Sequence, residues 1–220
     1  MIGRWVQPTT NRLAFRYAGE YWENREQLWT YSASAYRNNA VAGVCRAVSY
    51  RGKLLVGSPL LVEPVFRKTV ILLLEDNDDG ALGVILNRES EEAVESHLPG
   101  WGHFAAGSGR IHLGGPVEPA VGVALAPVRP GETATLPGLR IVDLEADPDS
   151  ELTLVRIYSG YSGWAPGQLD AELEEGSWYL LEASPDDPFD DPRGQWERIL
   201  RRQSGLLALM STFPDDPEMN

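Results

Sequence analysis

The sequence predicts an α+β protein, a single domain that follows an N-terminal extension. Three observations carry this. Between Lys53 and Tyr161 the chain is largely a succession of short β-rich runs set off by turn residues. The late helical patterns follow the strands instead of alternating with them, which favours α+β over a doubly wound sheet, and no repeat period is visible. The first 46 residues differ from the rest in both pattern and charge.

Residues 1–47 read as the extension. They hold Trp5, Trp22 and Trp29 but no sustained period of 2.0 or 3.6 residues, which predicts a poorly ordered segment ahead of a domain spanning 48–220. From Val48 the pattern sharpens. "KLLVG" (Lys53 to Gly57) reads as a buried strand stopped by Ser58 and Pro59. "KTVILLLE" and "ALGVILN" read as two strands joined by "DNDDG" into an antiparallel hairpin. Ser90 reads as the N-cap of a short helix "EEAVESHL" that Pro99 and Gly100 end. "RIHLGG", "AVGVALAP", "LRIVDL" and "LTLVRIYSGY" read as further strands. "PGQLDAELEEG" and "QWERILRRQ" read as helices, through Leu169 and Leu173 in the first and Trp196, Ile199 and Leu200 in the second. The intervening "SPDDPFDDPRG" reads as an acidic, solvated loop.

At 220 residues and 43% apolar the chain can bury a sizeable core. Its longest apolar runs fall far short of the roughly 18 residues that suggest a membrane span. No apolar leader follows Arg4 and Arg12, and a lone Cys45 fits a reducing compartment, so the expected setting is the cytoplasm, without membrane. Net charge is −13. Residues 1–46 hold six Lys/Arg against three Asp/Glu, a net of +3, and the remainder holds 13 against 29, a net of −16. A body this acidic repels phosphate backbones, which argues against direct nucleic-acid binding. The small basic clusters, Phe66 to Lys68 and Arg198 to Gln203, are the only counterweights.

The stretch "YSGYSGWAPGQ" raises the question of catalysis. A nucleophile elbow needs G-x-S-x-G, and Gly160-Tyr161-Ser162-Gly163-Trp164 puts tryptophan at the last glycine. All three histidines, His97, His103 and His112, precede Ser162, against the hydrolase order. An anion cradle has more support, since Gly160, Gly163 and Gly167 permit unusual backbone angles and Pro166 can open a helix. No Walker pattern occurs, and Gly107-Ser108-Gly109 does not extend to a dinucleotide fingerprint. The alternative is a purely structural turn with Trp164 in the core. The histidine spacings match no metal motif, and Asp186, Asp187, Asp190 and Asp191 lack the calcium-loop pattern. No metal or cofactor is expected.

Taken in order, "LLVGSPLLVEPVFRKTVILLLEDNDDGALGVILNR", "HLGGPV" and "GYSGWAPGQLDAELEEGSWY" closely resemble the YqgE/AlgH family, also called DUF179 or UPF0301, with "WERILRRQ" similar to its actinobacterial members. The similarity covers residues 53 to about 213. It implies a mixed, barrel-like sheet with flanking helices in a bacterial, mostly cytoplasmic protein. Some members carry the label of transcriptional regulator, but the family brings no established activity and no catalytic residues to transfer. Asp76 stands where the family often has histidine, which weakens any mechanism needing an imidazole there.

The leading functional reading is therefore a non-enzymatic binding or regulatory protein. Arg67, Asn87, Gly114, Gly115, Tyr161, Trp164 and Gln168 form the candidate ligand or partner surface. The partner would be another protein or a small anionic ligand. The rival is a sensor or enzyme for an anionic metabolite, with a pocket between Arg67 and the Gly160–Gln168 turn. Each residue also has a structural reading: Arg67 paired with Glu63 or Glu75, Asn87 closing a strand, Gly114-Gly115 making a turn, and Trp164 in the core.

Overall fold

Apolar residues in the central strands alternate between two buried environments, so the sheet is covered on both sides. A computed structural model describes residues 16–17, for which only the strand path is given, together with 49–61 and 63–213. Leu54, Val56, Val70, Leu72 and Leu74 point into one cluster, and Leu55, Ile71 and Leu73 into another. That two-sided burial is why "VILLL" is a continuous apolar run and shows no polar alternation.

The strands are β1 (Arg16–Tyr17), β2 (Lys53–Gly57), β3 (Val70–Asn77), β4 (Gly80–Ile85), β5 (Glu89–Ala93), β6 (Arg110–Leu113), β7 (Val117–Pro127), β8 (Leu139–Val142), β9 (Arg156–Trp164) and β10 (Trp178–Glu182). Helices are α1 (Val94–His97), α2 (Gln168–Glu174), α3 (Gln195–Arg201) and α4 (Leu206–Met210). The strands form one mixed sheet in the order β1-β7-β9-β4-β3-β2-β10, with β8 against β7, β6 against β9 and β5 against β6. The β1/β7 and β6/β9 pairs are parallel and the rest antiparallel. Residues from β2, β3, β4, β7, β9 and β10 share one interior cluster, into which α3 sends Trp196, Ile199 and Leu200. The sheet is thus barrel-like in wrapping a core, yet among the described residues it remains unclosed: its path runs from β1 to β10 without a pairing between them.

The β3–β4 hairpin forms as its sequence predicts. Asn77 pairs with Gly80, and the Asn77 Oδ1 accepts the Asp79 N–H at 2.8 Å, closing a two-residue loop. Asp76, where the family often carries histidine, is buried and accepts the Tyr50 N–H at 2.5 Å.

Three expectations need correction. The helix read over 91–98 is only α1, because Glu89 to Ala93 instead pair with β6; Ser90 Oγ accepts the Glu92 N–H at 3.1 Å and does not cap the helix. Strand pairing outweighs the weak local helical preference here. Trp178–Glu182 is a strand along β2, and Leu206–Met210 is a further helix; neither was read from the sequence. Finally, β9 continues through Tyr161, Ser162 and Gly163 to Trp164, so the turn shrinks to residues 165–167.

Strand β9 organises the whole sheet. Its first half pairs with β6 and β7, while Ser162 to Trp164 pair with β4. At the change of partners sits Gly160, at φ +69°, where an added Cβ would lie 2.8 Å from both the Gly115 and Val117 carbonyl oxygens. A glycine at such a point permits both the unusual angle and the close backbone approach. Within the segment read as an extension, Arg16 and Tyr17 line up with Val121 and Gly122. The expectation of poor order for the rest of residues 1–47 lies outside the described residues.

Candidate functional site

A cleft of about 670 Å³ opens between the β2–β3 connection, the start of β5 and the segment 192–197 that leads into α3. Its lining includes Arg67, Lys68, Asn87, Arg88, Arg193 and Trp196, with Glu89 and Glu197 as its two carboxylates. Four cations face two anions on a chain whose net charge is −13.

The β2–β3 connection is held by backbone turns in which Phe66 and Arg67 both donate to the Glu63 carbonyl. Lys68 adopts φ +50°, a region uncommon for a residue with a side chain. Asn87 stabilises that bend: its Nδ2 donates to the Lys68 carbonyl at 2.8 Å and its Oδ1 accepts the Val70 N–H at 3.0 Å. Asn87 therefore closes a strand end, and in doing so places Arg67 and Lys68 at the cleft.

Arg88 follows directly. Its Nη2 donates to the Arg67 carbonyl at 2.6 Å and its Nη1 to the Asn87 carbonyl at 3.4 Å. Burial pushes its pKa down from the ordinary arginine value, though the group stays cationic at neutral pH. Neither Arg67 nor Arg88 forms an ion pair among the described residues; Arg67 does not reach Glu63 or Glu75. Lys68 is differently placed. Its Nζ pairs with Glu197 at 3.2 Å, donates to the Phe213 carbonyl at 2.9 Å and lies 4.9 Å from the centre of the Trp196 ring. Trp196 is buried and donates to the Gly57 carbonyl at 2.8 Å, so it forms a wall and not a stacking platform. Arg193 stands exposed at the rim beside Asp191, 3.3 Å away.

The loop carrying Arg193 is not the solvated acidic loop its sequence suggests. Asp187 is buried against Arg202 at 2.5 and 2.7 Å, and Asp190 accepts from Arg198 at 2.9 Å. From below, the buried Arg156 guanidinium donates to the carbonyls of Pro188, Phe189 and Asp190 at 3.0 to 3.2 Å and to His112 Nε2. His112 donates through Nδ1 to the Leu86 carbonyl at 2.9 Å. Burial, with Arg156 beside it, pushes the His112 pKa down to about 4, and burial raises that of Tyr158. This cluster escaped the sequence reading. Its signal was an arginine inside the apolar run "LTLVRIY", a buried cation that must find acceptors.

The other candidate residues lie away from the cleft. Trp164 and Trp178 both donate to Glu172 Oε2, at 2.9 and 2.8 Å, with their rings edge to face at 6.1 Å. Gln168 donates to Glu172 Oε1 at 2.8 Å and accepts the Ala165 N–H at 3.0 Å. Those contacts clamp α2 to β9 and β10. Tyr161 sits in the interior cluster. At Gly114 an added Cβ would fall 2.2 Å from the Gly160 carbonyl oxygen, and at Gly115 2.2 Å from the Tyr161 carbonyl carbon. Both glycines let β9 cross a neighbouring backbone. The structure thus brings Arg67 and Asn87 together and separates them from the Gly160–Gln168 segment. Arg88, Lys68 and Arg193 join them, which sequence spacing alone could not show.

His112 is committed to the Leu86 carbonyl, while the buried Ser162 Oγ makes only a long 3.4 Å contact with the Gly114 carbonyl. Among the described residues no three His, Cys, Asp or Glu side chains converge as metal ligands, and no helix is long and apolar enough to cross a membrane.

Comparison with known proteins places the fold. A family model described as DUF179, AlgH-like, matches residues 54–208. A UPF0301 protein of Streptomyces coelicolor is 42% identical over 195 residues, covering 82% of this chain and 100% of the relative. One from Thermobifida fusca is 43% identical over 191 residues, covering 79% and 96%. Among solved structures, the crystal structure of protein DIP2367 from Corynebacterium diphtheriae aligns with a TM-score of 0.70 at 30% identity, over 78% of this chain and 95% of that one. The solution structure of the AlgH protein from Pseudomonas aeruginosa aligns with a TM-score of 0.56 at 25% identity, over 80% and 100%. With the family model spanning most of the domain and relatives matched along nearly their whole length, this chain belongs to the AlgH-like, UPF0301 family.

Proposed function

We propose that this protein is a non-enzymatic, cytoplasmic binding protein whose cleft at Arg67 and Arg88 receives an anionic group of a ligand or protein partner. The observation that carries this reading is the pair of arginines, adjacent in space and without a carboxylate partner among the described residues, in a cleft of an otherwise acidic molecule. A guanidinium offers a planar set of donors suited to carboxylate or phosphate, with Arg67 exposed to receive it and Arg88 half-buried behind. Binding is favoured over catalysis because the Ser162 hydroxyl is buried in the sheet and the His112 ring is held between the Leu86 carbonyl and Arg156. A regulatory role would act through this cleft and not through duplex DNA, which the net charge repels.

An NMR titration of the arginine Nε–Hε signals with inorganic phosphate, and separately with a short polyglutamate peptide, tests the reading. The expected result is saturable movement of the Arg67 and Arg88 signals with at least one probe, weakened about tenfold by Arg67→Ala, on the scale of a lost charge-assisted hydrogen bond. If neither probe moves these signals at millimolar concentration, the cleft is not an anion site.

A further inference from the structure

Resting on the reading of the cleft as an anion site, we infer that His112 and Arg156 are its positioning residues: together they form a buried tie that joins two walls of the cleft and sets where the cations on each wall stand. One wall carries Asn87 and Arg88, and the other is the segment 192–197. On the first side His112 Nδ1 donates to the carbonyl of Leu86, the residue before Asn87, at 2.9 Å. On the second, Arg156 donates to the carbonyls of Pro188, Phe189 and Asp190 at 3.0 to 3.2 Å, just ahead of Pro192 and Arg193. Arg156 Nη1, donating to His112 Nε2, closes the tie.

Sheet register makes the tie possible. His112 on β6 stands opposite Tyr158 on β9, so Arg156, two residues back, shares its face and lies diagonally within reach. Both side chains are almost wholly buried, and Arg156 has no carboxylate ion pair among the described residues. For stability alone, an apolar side chain would cost less to bury than such a cation. What the guanidinium adds is direction: it fixes three consecutive carbonyls of one loop against a ring that the other wall holds. Because a carbonyl only accepts and a guanidinium only donates, the ring must be neutral with its proton on Nδ1, a form that burial and the adjacent Arg156 charge favour. Lys68 and Glu197 also link walls of the cleft, but through long, partly exposed side chains that hold a geometry loosely. The buried tie is the rigid one, and rigid support of this kind is what keeps binding groups in a productive arrangement.

Two substitutions in the full chain each cut one end of the tie. His112→Asn keeps an amide donor near the place of Nδ1 and loses the acceptor for Arg156, whereas His112→Gln keeps an acceptor near the place of Nε2 and releases Leu86. In amide NMR spectra without ligand, His112→Asn should move the Arg193 backbone signal more than that of Arg88, and His112→Gln should do the reverse. Both variants should bind inorganic phosphate about threefold to tenfold more weakly than the parent, the scale on which residues of a shared network shift affinity. Val142→Ala, a core change on β8 outside the cleft lining, should lower stability and leave that affinity unchanged. In the unaltered chain the His112 ring nitrogen signals should also move as phosphate saturates, a readout that needs no substitution. Motionless ring signals during saturable binding, or parental affinity in both His112 variants, would overturn the tie while leaving the anion site standing. If neither phosphate nor the polyglutamate peptide binds the unaltered chain, the anion-site reading fails and the ligand-free amide signals still decide the tie: the crossed pattern supports it, and the same pattern in both variants refutes it.

Discussion

Trp164 and Ser162 stand two residues apart on β9 and show how differently neighbouring side chains matter. The Trp164 ring is buried against Trp178 and shares the Glu172 carboxylate with it. Trp164→Ala should therefore cost about 3 to 5 kcal/mol, the range for emptying an aromatic core site. Ser162 Oγ donates only a long bond of 3.4 Å to the Gly114 carbonyl, which already accepts the Ile85 N–H at 2.8 Å. Ser162→Ala should stay within about 0.5 kcal/mol of the parent. Urea denaturation of both variants checks the contrast. His112 provides a second residue-scale test. Its folded pKa of about 4 lies below the usual 6.5, so the unfolded chain binds the extra proton between those values. Stability is then fully present above about pH 6.5 and falls as pH drops towards 4, by about 3 kcal/mol if His112 acted alone. Replacing it with glutamine should flatten that part of the pH–stability curve; an unchanged slope would assign the loss to carboxylates.

Among the elements, β9 is the one on which the two halves of the sheet depend, and its bend rests on a single glycine. Gly160→Ala combines a left-handed φ with a 2.8 Å approach to two carbonyl oxygens, a strain that should exceed about 3 kcal/mol. Gly163→Ala, three residues on, would bring its Cβ no closer than 3.7 Å to any neighbour, and should be tolerated. Thermal melts of the pair test whether the exchange of partners at Gly160 is a structural requirement. Elements also mark the limit of local reading. Hairpin β3–β4 was legible because the turn residues and flanking apolar runs agree. Strand β5 was not, since "EEAVESHL" is compatible with helix until β6 supplies a partner. Strand β10 was missed beside a clear helix pattern because its register with β2 is a long-range fact.

For the molecule as a whole, the question is whether the first 47 residues contribute to stability. The pairing of Arg16–Tyr17 with Val121–Gly122 spans two residues, and each net hydrogen bond is worth about 1 kcal/mol. Deleting residues 1–47 should lower the melting temperature by no more than about 4–8 °C per kcal/mol lost in a small domain, and by less in one this large. The expected change is a few degrees in calorimetry. A much larger drop would show that the segment docks onto the core and that the domain begins earlier than Val48.

From sequence alone followed the α+β class, the positions of most strands, the apolar faces of α2 and α3, and the acidic charge of the body. Each depends on near neighbours or on composition: a two-residue alternation, a turn at Asp78–Asp79, a leucine pair four apart, a count of charges. Only the tertiary structure decided what faces what. Arg67 and Asn87 were picked out individually, but their union with Arg88 and Arg193 joins segments more than 100 residues apart. The same holds for Arg156, whose carbonyl acceptors lie 32 to 34 residues further along the chain. A buried cation or an unpaired strand edge states in sequence that it needs a partner, through the free-energy cost of leaving it without one. Which partner it receives depends on how the chain folds back, and that is set by the summed burial of the whole sheet and not by the residues at the site.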